Sequence, residues 1–545
     1  MGSAAGLSGS PAPPPQSAGG GWVDAAAAVL LFAALASLRP ALPDGDGLSY
    51  ADQALKPGWL DGADAKHLLY APLLRAVLRA LDAFGGGAFA LEAFTALSNL
   101  CGAALYLMLA RGLYPVFLCG RTLARLCALG ALFSFGALAA CCTIETYALA
   151  LLLDVVLATL CARTDLSTAR GGVAAGLAFA LAVGVHVTNV LMGPFLLLVL
   201  LAHARRRASW SSASWFLGAA AFGGLLLALV LMVGKDVWPW SPDWQRLLPQ
   251  GDPHPPLSPA GRAGRVAYGL LRTLAWLPPF WELTPPFIAG YALALLAALA
   301  LAAVVLRRAL PRRRGNRWLG RVLAAQAIPF AVIGARYYPS DPERWLFLLP
   351  SFWLLVGLAW SRYTPPPRAW LTRGRSVALL AVCVAALAVH NTAGKLLPDA
   401  RHNPELQGLR LLAAETAPGD LVVASTALRS PVVALALGQP LRCEVISLDL
   451  MMRAHGDAVG SCQNDLRDRI QDALARGRRV FAYGLLNEGL AAGRGYPWAH
   501  VLHLGYEPDM LLSVLNEFLP GPVRPREPGE VGLYRLQAGD KVDRE

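Results

Sequence analysis

GGVAAGLAFALAVGVHVTNVLMGPFLLLVLLAHARRR, residues 171–207, decides the fold class. Two apolar runs, 171–187 and 189–203, flank a short polar break that carries His186 and Asn189, and the second run ends on Arg205, Arg206 and Arg207. Helices of this length and composition are membrane-span candidates, and arginines that follow a span mark its cytoplasmic end. The stretch therefore reads as two helices that turn on one side of a bilayer and are anchored on the other.

The same pattern extends in both directions. Further apolar blocks lie at about 22–38, 88–110, 123–141, 146–161, 213–233, 284–306, 319–334, 345–361 and 376–391, which makes about eleven spans. The chain of 545 residues is 55% hydrophobic and 15% charged, against about 25% charged for soluble domains. That excludes a soluble enzyme, a disordered scaffold and a coiled coil. The blocks do not alternate apolar with polar residues, so a transmembrane barrel is excluded as well.

Charge supplies the orientation. Loops 109–125, 162–172, 203–214, 306–321 and 361–375 hold nineteen Arg and a single acid, Asp165. Loop 41–87, from the alternate set, holds six Asp against four Lys and Arg. The positive-inside rule puts the first set in the cytoplasm and 41–87 outside. Residues 1–21, rich in Gly, Ala, Ser and Pro, read as a disordered cytoplasmic tail. With an odd number of spans, everything after about 392 is expected outside. The net charge of +12 is thus an orientation signal rather than a nucleic-acid one. The Arg-rich composition without an Asn-x-Ser/Thr site leans towards a bacterial inner membrane.

From His67 to Phe84, Leu68, Leu69, Leu73, Val77 and Leu81 recur at helical spacing, with Arg75 and Arg79 an i,i+4 pair. This predicts an amphipathic helix at the outer interface. Loop 235–283 carries Trp238, Trp240, Trp244, Trp276 and Trp281, which read as headgroup anchors. Residues 399–545 form an expected extracytoplasmic α/β domain. Short strands at Asp420–Ser425, Cys443–Leu448, Arg479–Tyr483 and Val531–Leu536 alternate there with helical patterns. Cys443 and Cys462 in this region are a potential disulfide pair if it lies outside.

Polar residues at the membrane rim are costly and mark candidate sites. They gather on the expected outer side: Asp44 and Asp46 after the first span, His67 and Tyr70, Glu145, His186 and Asn189, then Arg336, Asp341, Glu343 and Arg344. Asp154, inside the 146–161 span, is expected to make a buried structural hydrogen bond.

Four stretches carry a family resemblance. PDGDGLSYAD (43–52) is similar to the acidic first-loop motif of GT-C membrane glycosyltransferases. HLLYAPLL (67–74), and IETYALALL (144–152) with GVHVTNVLMGP (184–194), resemble segments of the O-mannosyltransferase-like branch. YYPSDPERWLFLLPSFWLL (337–355) resembles the Arg-Tyr-Leu-Leu-Pro start of a late helix. The likeness spans 22–390, within an expected transmembrane domain at 22–392. It departs at 45–49, where the branch has Gly-Asp-Ser-Gly-Glu and this chain has Gly-Asp-Gly-Leu-Ser. The resemblance implies transfer of a sugar, mannose among the candidates, from a polyprenyl-phosphate donor to a hydroxyl of a glycan, lipid or protein acceptor on the outer face.

The residue types suit that chemistry. A carboxylate accepts the acceptor's proton, and an arginine stabilises the departing lipid phosphate. Asp46 is the first candidate base, flanked by Gly45 and Gly47 in an expected tight turn, with Asp44 the competing one. Arg344, with Arg336, is the candidate phosphate ligand; the alternative is an ion pair with Asp341 or Glu343. His67, Tyr70, Glu145, His186 and Asn189 are candidate substrate contacts. No cofactor or metal is required, because phosphate leaves well once paired with Arg. Two other classes remain open: an O-antigen-ligase-like glycan transferase, and a secondary transporter, which needs broken helices and midplane charges.

Overall fold

The computed structural model describes residues 21–56 except 41, 43 and 44; 58; 67–163 except 119; 168–207; 211–235; 259–278; 317–361 except 337 and 338; 373–424 except 402; 428; 431–485 except 457; 508–523 except 519; and 532–537. The disordered tail, Asp44, the span expected at 284–306 and Trp238, Trp240, Trp244 and Trp281 lie outside the described residues. The chain divides into two compact units, Met1–Pro249 with Ser258–Ala400, and Gln250–Leu257 with Arg401–Glu545.

The first unit is helical: α1 (Gly21–Ser37), α2 (Gly45–Leu55), α3 (Tyr70–Asp82), α4 (Ala90–Leu107), α5 (Arg121–Phe133), α6 (Phe135–Cys142), α7 (Thr146–Arg163), α8 (Ala169–Val185), α9 (Gly193–Arg207), α10 (Ser211–Lys235), α11 (Pro259–Leu274), α12 (Arg317–Arg336), α13 (Leu349–Ser361) and α14 (Arg373–Asn391). Among the described residues, four stretches are long and apolar enough to cross a membrane: Gly87–Phe117, Thr146–Arg163, Pro342–Ser361 and Gly374–Glu415. The bent pair α5 and α6 makes a fifth if taken as one span. Gly21–Ser37, Ala169–Val185, Val187–Ala202 and Ala213–Leu229 are shorter apolar helices.

Three local readings are corrected. The block at 123–141 is not one straight helix but two, bent by 67° at Ser134. Ser134 is extended, and its hydroxyl donates to the Gly130 carbonyl while accepting from the Trp353 indole at 3.0 Å. A side chain at Gly130 would overlap the Trp353 ring, so the absent Cβ admits the indole that holds the break. Gly45 and Gly47 do not make a turn, because they lie in the first turn of α2. Arg75 is not on a solvated face. It is buried, and it donates to the Gln53 carbonyl at 2.7 Å and the Ala54 carbonyl at 3.2 Å, capping the C-terminal end of α2. Helices α2 and α3 are thereby clasped as a pair.

At the end where α1 begins, charges hold helices together. Buried Asp24 accepts from Arg125 at 2.6 Å, with Arg111 at 3.8 Å. Arg163, closing α7, donates to the Gly112 and Arg111 carbonyls in the π-helical turn Met108–Leu113 that continues α4. Asp154 departs from expectation: it is buried, and neither of its oxygens has a hydrogen-bond partner among the described residues.

The second unit contains α15 (Pro404–Glu415), β1 (Leu421–Ala424), α16 (Pro431–Leu437), β2 (Glu444–Ser447), α17 (Leu448–His455), α18 (Val459–Ala475), β3 (Val480–Tyr483), α19 (Pro508–Asn516), β4 (Gly521–Pro522) and β5 (Leu533–Leu536). The strands form a sheet in the order β2-β1-β3-β5-β4, with β1 parallel to β2 and β3, and β5 antiparallel to β3 and β4. Strands β1 and β3 are buried along their whole length, as central strands covered on both faces must be. Cys462, Leu466 and Ile470, one apolar stripe of α18, are buried in the same core. Cys443 is buried as well.

Candidate active site

The segments expected on one side of the membrane do converge. The turn before α3 is hydrogen-bonded to the end of α8, with the Leu69 amide donating to the Gly184 carbonyl at 2.9 Å. A Cβ on Gly184 would come within 2.7 Å of the Leu69 side chain, so glycine is what permits this pairing. The pairing brings His67 beside His186, ring centroids 4.8 Å apart.

His186 ends α8 in an extended conformation and starts the 3-10 turn Val187–Met192. Its Nδ1 accepts the Thr188 amide at 3.1 Å, so the other ring edge carries the remaining proton when the ring is neutral. Asn189 donates to the Ala182 carbonyl at 2.9 Å, closing the end of α8. Its side-chain oxygen is buried and has no hydrogen-bond partner among the described residues.

Around the histidines an aromatic wall continues. Tyr50 of α2 meets His67, with hydroxyl and Nε2 3.4 Å apart, and its ring packs edge-on against Tyr70 at 5.3 Å. Tyr147 of α7 lies 4.7 Å from His186, and Phe347 lies 6.3 Å from Tyr147. Burial, and then the carboxylate of Glu145, push the Tyr50 and Tyr70 phenols up, so both remain hydroxyls at neutral pH. Glu145 is itself buried, at the start of α7.

Arg344 enters this wall from the 3-10 turn Pro342–Leu348. It donates to the Tyr147 hydroxyl at 2.9 Å and lies 3.5 Å from the Asp341 carboxylate, whose other oxygen caps the turn by accepting the Glu343 amide at 3.0 Å. Asp341 pairs with Arg344 as the sequence alternative held, and Arg344 at the same time reaches the aromatic wall. Asp46 is exposed in the first turn of α2, where the helix N-terminus favours a negative charge. It lies within electrostatic range of Tyr50, Asp341 and Arg344, and no hydrogen bond holds its carboxylate among the described residues.

Asp46, His67, Tyr70, Glu145, His186, Asn189 and Arg344 are therefore gathered by α2, the start of α3, the start of α7, the end of α8 and the turn at 341–348. Arg336 is not: it is exposed at the end of α12, and its backbone carbonyl accepts from Arg262 at 3.4 Å. Sequence reading passed over Tyr50, Tyr147, Phe347 and Arg272. Arg272, on α11, acts electrostatically on Asp341, the carboxylate that pairs with Arg344. The signal was available: Arg262, Arg265 and Arg272 mark the polar side of an amphipathic helix in a loop read only for its tryptophans. Trp276 is not a free anchor either, since its backbone amide is held by Asn391 at 2.7 Å.

No protein-family model and no curated protein matches the chain. Solved structures do. A crystal structure of ArnT from Cupriavidus metallidurans bound to undecaprenyl phosphate superposes with a TM-score of 0.56 at 14% identity, covering 95% of this chain and 98% of that one. Its apo form gives 0.54 at 14% identity over the same shares. The mycobacterial arabinofuranosyltransferase AftD gives 0.46 at 16% identity, covering 95% of this chain and 40% of its own. With its apolar helices, the chain is an integral membrane protein with the fold of ArnT, in line with the GT-C fold that its motifs resemble.

Proposed function

We propose that the chain is a membrane glycosyltransferase that moves a sugar from a polyprenyl-phosphate donor to a hydroxyl acceptor on the extracytoplasmic face. The observation that carries the reading is the placement of Asp46 and Arg344 around one aromatic wall. A carboxylate with no hydrogen bond among the described residues and a guanidinium are the two groups this displacement needs. Asp46 takes the proton of the attacking hydroxyl as its oxygen bonds to the anomeric carbon. The bond from that carbon to the phosphate oxygen breaks, and Arg344 with Arg272 stabilises the charge left on the lipid phosphate. Tyr50, His67, His186 and Tyr147 present ring faces and hydroxyls to the sugar, and the buried oxygen of Asn189 is an acceptor for one of its hydroxyls. Mannose is the sugar that the motif resemblance suggests. The ArnT structure with undecaprenyl phosphate supports a polyprenyl phosphate as the lipid.

The expected topology, with the tail and the Arg-rich loops in the cytoplasm and 399–545 outside, belongs to the same proposal, as does a bacterial inner membrane. A phosphatase fused after Glu545 should be active, and a cytoplasmic fluorescent reporter there should stay dark.

The transporter reading gains one observation, the broken span at Ser134, because transporters bind ions at such breaks. Here the break is filled by the protein: Asn391 donates to the Phe133 carbonyl at 2.7 Å, and Trp353 to the Ser134 hydroxyl. The decisive experiment gives the purified chain in nanodiscs a panel of polyprenyl-phosphate hexoses and follows release of the lipid phosphate. Sugar-dependent release supports the proposal. Failure with every donor, together with no binding of undecaprenyl phosphate, overturns it.

A further inference from the structure

Asn391, near the end of α14, is fully buried, and its side-chain amide joins three separate segments. It donates to the Phe133 carbonyl at 2.7 Å and the Leu274 carbonyl at 3.0 Å, and its oxygen accepts the Trp276 amide at 2.7 Å. The neighbouring His390 is 2.9 Å from the Trp276 carbonyl. A helix C-terminus leaves carbonyls without partners, and a buried one needs a donor from elsewhere. At the end of α11 that donor is Asn391.

Two residues before Leu274 is Arg272, and between them Thr273 donates to the Pro342 carbonyl at 3.0 Å as well as to Gly269 at 2.7 Å. The last turn of α11 is thus fastened on one side to the turn that carries Asp341 and Arg344, and on the other to α14. Its guanidinium would otherwise ride on a frayed helix end. We infer that Asn391 is a positioning residue for the lipid-phosphate site: it fixes the end of α11, and Arg272 with it, against the turn that carries Asp341 and Arg344. This rests on the reading above, in which those two arginines receive the donor phosphate. The ligand chemistry is a phosphate monoester on a prenyl chain, and Asn391 acts on it only through Arg272.

The test uses the full chain in nanodiscs, with undecaprenyl phosphate as the probe, and compares Asn391→Ala and Arg272→Ala singly and together. Asn391→Ala should weaken binding roughly tenfold, and should add little in the Arg272→Ala background, since residues acting through one contact are not additive. Asn391→Asp keeps the acceptor for the Trp276 amide but loses both donated bonds. It should weaken binding in the same coupled way, and serves if the alanine variant does not fold. Equal weakening in both backgrounds, or none in either, overturns the inference while leaving the phosphate reading intact. Unchanged affinity in Arg272→Ala alone overturns the phosphate role of Arg272, and the inference with it.

Discussion

The two ends of the helical unit use the same residue types to different effect. Where α1 begins, Asp24 is buried and gripped by Arg125, and Arg163 is spent on backbone carbonyls. At the other end, Asp46 is exposed with no hydrogen bond among the described residues, and Arg344 divides itself between Tyr147 and Asp341. A charge closed on a fixed partner stabilises helix packing and has nothing left for a ligand. A charge that is exposed, or shared among several neighbours, keeps its capacity to bind. The partner set separates the two cases.

The largest test of that contrast is Asp46→Asn, which keeps size and loses the proton acceptor. Transfer should fall ~10²–10⁴-fold with lipid-phosphate binding retained. A near-normal rate would move the base to Asp44, and if Asp44→Asn is also silent, to Glu145. Next comes Arg344→Met, expected to weaken undecaprenyl-phosphate binding by about 10- to 100-fold, the value of a charge-assisted hydrogen bond. Normal affinity would mean that the pairing with Asp341 is its whole task. Asp24→Ala should do the opposite of both. Apparent thermal stability should drop, by about 1.5–3 kcal/mol for a lost charged hydrogen bond, while transfer by the folded fraction persists. Loss of transfer without loss of stability would break the comparison. Smallest is Asp154→Val, which removes a buried carboxyl that has no partner among the described residues: melting should be unchanged or slightly raised, and activity kept. Lost activity would assign Asp154 a role in the reaction.

Much of this was legible in the chain itself. The apolar blocks and their Arg-rich loops mark the helices because membrane insertion depends on local composition. The strands of the second unit show through β-branched runs for the same reason. The convergence of His67, Glu145, His186 and Arg344 was readable only as a shared side, since side says nothing of distance. What stayed hidden depends on remote partners. Helix α2 looks like a glycine turn until Arg75, more than twenty residues on, caps its end. The bend at Ser134 requires Trp353 and Asn391, each more than two hundred residues away. Arg272 was obscured by tryptophans nearby that took the interpretation of its loop.

That bend also sets a height. At 1.5 Å per residue, α5 and α6 laid straight would climb about 32 Å, close to a hydrocarbon thickness. Turned through 67°, α6 adds only about 5 Å along the α5 axis, so the chain reaches Glu145 about 7 Å less far along that axis than a straight helix would carry it. If α5 stands along the bilayer normal, as the proposed topology has it, the floor of the proposed site is sunk like a basin beneath the headgroup plane. The proposed donor, a sugar linked to a prenyl phosphate, could then be met where its lipid already lies, without being lifted into water.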